Sequence, residues 1–217
     1  MRFRTFFSAA ALALSCTFVA GGALADVDAA KAFVKDKHSS IKELVEKGSP
    51  SDKVKEAMGG MVDYDQLAMR TMGSPCPLAV PQCTNHWKDL SADQKKEVTD
   101  LLKNLVEKNL HKNLNKTKDF EVSYSGAKEV GENVSKIKTE AKSKQNPRDP
   151  AVQVDYVILG AGEKYRVIDI VTEGSSMTKN YYDQFHRMLT TDTQGYAYLV
   201  QKLRDKIAAK EKEAAAK

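Results

Sequence analysis

Tyr156–Phe185 reads YVILGAGEKYRVIDIVTEGSSMTKNYYDQF, and this stretch decides the fold. Val152, Val154, Tyr156 and Ile158 recur at every second position, the period of a half-buried strand. Gly160-Ala161-Gly162 makes a hairpin turn, and Tyr165 to Val171 forms the returning strand. Asp169 and Glu173 lie near its end, where Asp169 shares a face with Tyr165 and Val167 on an ideal strand. Gly174-Ser175-Ser176 breaks the run. Met177, Tyr181, Phe185, Met188 and Leu189 then recur at steps of three and four, so they occupy one face of a helix. An apolar helix folded back on a hairpin is either ordinary core or the wall of a cavity.

Upstream, Phe120, Val122 and Tyr124 alternate with polar residues, and Gly131-Glu132-Asn133 turns the chain into a Lys-rich strand around Val134 to Ala141. The irregular pattern of that second strand predicts a bulge or an edge. The N-terminal half is helical: Val27, Ala30, Val34, Ile41, Leu44 and Val45 share helical spacing until Gly48-Ser49-Pro50 ends the run. Ser51 caps a second helix with Val54, Met58, Met61 and Val62, and a short third one carries Leu67, Ala68 and Met72 up to Gly73. Ser91-Ala92-Asp93-Gln94 is a capping box, opening a helix whose apolar face is Val98, Leu101, Leu102, Leu105, Val106 and Leu110. The last helix presents Tyr196, Leu199, Val200, Leu203 and Ile207, and 210–217 reads as a solvated Ala/Glu/Lys tail. Helices, then four antiparallel strands, then two helices make an α+β domain.

The N-terminus predicts export. Arg2 and Arg4 precede an apolar run from Phe6 to Ala20, too short for a spanning helix, and Ala23-Leu24-Ala25 fits a signal-peptidase site. Cleavage after Ala25 leaves residues 26–217. Removing two arginines and no acids takes the formal charge from +5 to +3, with the lysines dispersed. No concentrated basic patch with stacking residues points to nucleic acid. Cys16 departs with the signal peptide, leaving Cys76 and Cys83 in the loop SPCPLAVPQCTNH. An even pair in an oxidising compartment predicts a local disulfide rather than a zinc or redox site.

Catalytic patterns are missing: no G-x-S-x-G, no H-E-x-x-H, no Gly-rich phosphate loop. His38, His86, His111 and His186 are scattered in polar contexts and read as solvated surface residues, with no metal site. Asp169 with Glu173 is the best carboxylate pair, and it reads as a structural strand end satisfied by backbone N–H groups or a Lys. A small enzyme using Asp169 and a Tyr as acid–base pair stays open, as does a module for another apolar solute.

Two motifs carry a family resemblance. Tyr165-Arg-Val-Ile-Asp169-Ile-Val-Thr-Glu173-Gly174-Ser-Ser-Met177, continued by Asn180-Tyr181 and Gln184-Phe185, resembles the MlaC-type (toluene-tolerance) family. Asp63-Tyr64-Asp65-Gln-Leu67-Ala-Met69, Gly73, and then Trp87 with Leu90-Ser91 and Gln94 resemble its second signature. Two departures stand out: Ser74 to His86 is an insert bearing both mature cysteines, and Tyr182 stands where relatives often have Arg. The resemblance implies one lipid-binding domain over 26–209, with a helical part (about 26–116) and a sheet with C-terminal helices (about 117–209). It implies helices packed on a four- to five-stranded antiparallel sheet akin to the NTF2-like cone, the C-terminal helices closing an apolar cavity.

By that resemblance the protein is a monomeric periplasmic phospholipid carrier and no enzyme, and lipid is its cargo rather than a cofactor. The resemblance further implies that it shuttles lipid between an outer-membrane complex and an inner-membrane ABC transporter. Exposing a tail of ~15 carbons at about 0.8 kcal/mol per methylene costs on the order of 10 kcal/mol, so a carrier must enclose its tails. Trp87, Val106, Tyr156, Ile158, Val167, Ile170, Met177, Tyr181, Phe185 and Leu189 are the candidate lining.

Overall fold

The computed structural model describes residues 26–117, 119–161 and 164–215. The signal segment, Gly162 of the hairpin turn and the side chains of Leu110 and His111 lie outside the described residues. Helix α1 (Val27–Glu46) begins at Asp26, whose carboxylate accepts from the Ala29 N–H, and it ends at Lys47 before Gly48. Helix α2 (Ser51–Gly59) follows, with Pro50 rather than Ser51 at its N-cap. In α3 (Tyr64–Thr71) the Asp63 cap accepts from the Gln66 N–H. A single 3-10 turn (Trp87–Asp89) leads into α4 (Ala92–Thr117). The capping box forms as the sequence predicts: Ser91 N–H donates to Gln94 Oε1 at 2.9 Å, and Gln94 N–H to Ser91 Oγ at 3.2 Å.

Five strands form an antiparallel meander in chain order: β1 (Phe120–Gly131), β2 (Val134–Ser143), β3 (Val152–Leu159), β4 (Arg166–Thr172) and the two-residue β5 (Ser175–Ser176). Helices α5 (Met177–Thr190) and α6 (Tyr196–Ala215) complete an α+β fold. The expected solvated tail therefore starts as helix: α6 runs on through 210–215, and Glu211 pairs with Lys108 of α4 at 3.0 Å. Ala/Glu/Lys sequence has high helix propensity, so the helix continues past Lys210.

The irregularity expected of β2 belongs to its neighbour. Strand β2 is internal, and both register shifts of the first pair, after Tyr124 and after Glu129, insert an extra residue into the edge strand β1. A further shift on β4 sets Val167 opposite Ile158 and Asp169 opposite Val157, leaving Ile168 as the extra residue. One inserted residue reverses the alternation, so Asp169 does not share a face with Val167 as an ideal strand requires. Instead Val167 and Ile158 join the main core, while Ile168 and Val157 join a smaller cluster with Val134 and Val171.

The main core lies between the sheet and the helices, with Leu67, Met72, Leu102, Ile137, Phe185 and Leu203 at most 2% exposed. The two sequence signatures meet here. Asp63 N–H donates to the Val167 carbonyl and Val167 N–H to the Met61 carbonyl, both at 2.9 Å, so the Asp-Tyr-Asp turn is clamped onto β4.

Candidate functional site

Helix α1 belongs to two environments. Ala30 and Val34 are fully buried in the core, but the next turns carry Lys35, His38, Ser39, Ile41 and Lys42 over open space. The facing wall comes from three paired strands. Val122, Ala141 and Val152 form one cross-strand row, and Tyr124, Thr139 and Val154 form the next. In the first row Ala141 on the central strand β2 is smaller than the valines on either side, and in the second Thr139 matches Val154 and is overtopped by Tyr124. The low middle of the first row leaves a trough beneath α1. The result is a cavity of about 920 Å³, with Phe120 and Tyr156 at its two ends. That volume is at the upper end for ligand sites.

Its rim is mixed. Val122 and Val152 are 38% and 37% exposed, unusual for aliphatic side chains, and Lys35, Lys42 and Lys144 stand against a single acid, Glu121. Inside, His38 Nδ1 and the Tyr124 hydroxyl are 2.9 Å apart, and the Tyr156 ring meets the imidazole edge-on with centroids 4.9 Å apart. Burial disfavours the imidazolium and lowers the His38 pKa to about 4. Burial also pushes the Tyr124 hydroxyl up to about 12 and raises that of Tyr156. All three groups are therefore neutral at pH 7. His38 is not the solvated surface residue its polar sequence context suggests, because the ring lies between two tyrosines that are distant in sequence.

Among the ten predicted lining residues, Tyr156 faces this cavity. Val106, Ile158, Val167 and Phe185 are at most 3% exposed inside the closed core. Trp87, Ile170, Met177, Tyr181 and Leu189 are partly buried and pack against that core, with the Lys95 ammonium 5.7 Å from the Trp87 ring centroid. The aromatic face of α5 thus covers α3 and β4, whereas the cavity lies under α1 rather than under the C-terminal helices. His38, Ile41, Phe120, Val122, Tyr124, Thr139, Ala141, Val152 and Val154 complete its wall. The available signal was the Phe120-Val122-Tyr124 alternation, set opposite the small residues of β2.

The Asp169 carboxylate is buried and hydrogen-bonded at both oxygens. Its oxygens accept from Ile170 N–H and Thr178 N–H, each at 2.9 Å, and from the Ser176 hydroxyl at 2.6 Å. This welds the end of β4 to the start of α5 and gives the carboxylate a structural role. Among the described residues, no group of three His, Cys, Asp or Glu side chains could hold a metal ion.

Cys76 and Cys83 are joined, with Cα atoms 5.7 Å apart. Their insert closes at its neck: His86 N–H and Trp87 N–H both donate to the Met72 carbonyl, at 2.8 and 3.2 Å. Gly73 is required there, since its φ is +81° and a Cβ would stand 2.2 Å from the Thr84 carbonyl oxygen. The insert docks on α5 through Tyr182, whose hydroxyl accepts from the Thr84 N–H at 2.8 Å, and through a His86–His186 hydrogen bond of 2.8 Å. Tyr182 is buried and serves this contact; its position is remote from the trough.

With a cavity under α1 and both signature motifs clamped at β4, the family can be stated. The model for the MlaC protein matches residues 27–205. The chain belongs to the MlaC family. No curated protein matches it by sequence. The fold is similar to that of a phospholipid-binding protein from Ralstonia solanacearum solved in complex with a phospholipid. The TM-score is 0.67 and the identity 18%, covering 84% of this chain and 98% of the other. MlaC membership spans both the core that α5 closes and the trough that α1 covers.

Proposed function

We propose that this protein is a periplasmic phospholipid carrier, with acyl chains lying in the trough between α1 and β1–β3. The observation that carries this is the cavity of about 920 Å³, walled by Ile41, Phe120, Val122, Val152, Val154 and Tyr156 in an MlaC-family chain. If each methylene takes roughly the 30 Å³ share of a liquid water molecule, the space holds about thirty carbons, two ordinary tails. The lysines at the rim suit a phosphate-bearing headgroup left in solvent. The phospholipid held by the Ralstonia solanacearum protein of the same fold supports the same cargo here. An engaged Asp169 and the absence of a catalytic pattern in the sequence favour binding over chemistry. In this reading the signal peptide delivers the chain to the periplasm, where it passes lipid between an outer-membrane complex and an inner-membrane ABC transporter.

Protein purified without detergent from the periplasm should release phospholipid on solvent extraction, read by mass spectrometry. Ala141→Trp should fill the trough and abolish loading while leaving the melting temperature near that of the wild type. Recovery of no lipid, together with no uptake from vesicles, overturns the proposal.

A further inference from the structure

The trough has an open end and a shut one, and the exposure of β3 shows which is which. Val152 is 37% exposed at the rim, Val154 and Tyr156 are half-buried, and Ile158 is 1% exposed in the closed core. On β2 the same direction runs from Ala141 through Thr139 to the fully buried Ile137, which pairs with Tyr156. At the open end Lys144 directly follows Ser143, the partner of Phe120, so a headgroup belongs there and acyl tails point inward toward Tyr156. Three rings meet them. His38 Nδ1 and the Tyr124 hydroxyl bond to each other at 2.9 Å, joining α1 to β1, and the Tyr156 ring meets the imidazole edge-on. Burial keeps that imidazole neutral, so the rings can face hydrocarbon without stranding a charge.

Resting on the reading of the trough as a phospholipid site, we infer that His38, Tyr124 and Tyr156 form a stop that sets the longest acyl tail the protein takes. The dimensions give the length. Six residues of β2 separate Ser143, opposite Phe120, from Ile137, opposite Tyr156, so the floor runs about 20 Å at the strand rise of roughly 3.3 Å per residue. An extended chain of carbon–carbon bonds of about 1.5 Å at near-tetrahedral angles advances roughly 1.25 Å per carbon, so about sixteen carbons fill it. Two such tails agree with the roughly thirty carbons that the cavity volume holds. A longer tail cannot continue inward, because Ile158 and Val167 beyond the stop are each 1% exposed and packed in the core. Its excess must fold back or leave methylenes in water at the rim. The wall recognises hydrocarbon, and the stop measures it.

The test offers delipidated full-length mature protein one population of vesicles holding equal amounts of phosphatidylglycerols with two identical monounsaturated tails, from about 14 to about 22 carbons, and counts bound lipid by mass spectrometry. Uptake should fall at least about tenfold between tails of about 16 and about 22 carbons. Tyr156→Ala and His38→Ala each remove one ring of the stop and should move the cut-off up by roughly two to four carbons at the same volume per methylene. Val154→Phe, one cross-strand row nearer the rim, should move it down by a similar amount. Each variant is checked for a native melting curve, and where one ring deletion does not fold the other decides. A merely structural role for these side chains would change how much lipid is bound, not its length. A wild type that takes all lengths alike, or folded variants with an unmoved cut-off, overturns the stop and leaves the carrier reading standing. Uptake of no length overturns both.

Discussion

The closed core beneath α4, α5 and α6 and the trough beneath the end of α1 share the strands β2 and β3, yet one is filled and the other is not. Over the core, Phe185, Met72, Leu102 and Leu203 cluster with Ile137 and Ile158, each at most 2% exposed. Over the trough, the central strand carries Ala141 and Thr139, and His38 and Ile41 of α1 line the opposite wall. Hydrophobicity does not separate the two regions. The size of the side chain on the middle strand does, together with a helix that turns from Ala30 and Val34 in the core to lysines at the rim.

The contrast is broken most directly by trimming one residue on each side. Phe185→Ala should cost about 3–5 kcal/mol, because it opens an enclosed void among packed neighbours. Val154→Ala should cost under about 1 kcal/mol, because its side chain borders space that already exists. Urea denaturation of the two variants measures both, and equal losses would abolish the division. A smaller effect is expected from the insert, which touches only the core side. Replacing both Cys76 and Cys83 by Ser should lower stability by at most about 2 kcal/mol for so short a loop and leave lipid loading unchanged.

A pH effect acts on the trough side. Burial lowers the folded-state pKa of His38 from 6.5 to about 4. As pH falls, the unfolded chain therefore takes up this proton first. The stabilising contribution is complete above about pH 6.5 and fades progressively toward pH 4. Facing the imidazole are Lys35 and Lys42 from its own helix, Glu121 and Tyr124 from β1, Tyr156 from β3, and Lys144 from the loop after β2. None but Glu121 would offset a new positive charge. His86 is also lowered by burial and acts with the same sign. The readout is therefore the difference between wild-type and His38→Phe melting curves at pH 7, 5.5 and 4.5, expected to narrow as pH falls.

How far these regions were legible in sequence follows from how each is made. The capping box, the β3–β4 hairpin and the face of α5 are local, fixed by spacings within one or two elements, and they form as read. The role of Asp169 was also visible, since a carboxylate between a strand end and a helix start has backbone donors within reach. The trough was not legible. It depends on His38 meeting Tyr124 and Tyr156, residues 86 and 118 positions further on, and on a contrast of side-chain volume across three strands. No periodicity encodes such a contrast. The alternating aromatic pattern of α5 was the stronger signal, and it marked the filled region. The β4 bulge was equally hidden, because Val-Ile-Asp-Ile-Val alternates well enough in either register.

The neck of the cysteine insert has a practical reach. Residues 74 to 85 leave and rejoin the body beside one carbonyl, that of Met72, so they form a pendant loop whose base is also held to α5, the Thr84 N–H donating to the Tyr182 hydroxyl. Leu78, near the outer end of that pendant and 46% exposed, is a place where a dye or a surface tether could be attached. A label there would follow the protein as it meets membranes or partners while the trough and its contents stay untouched.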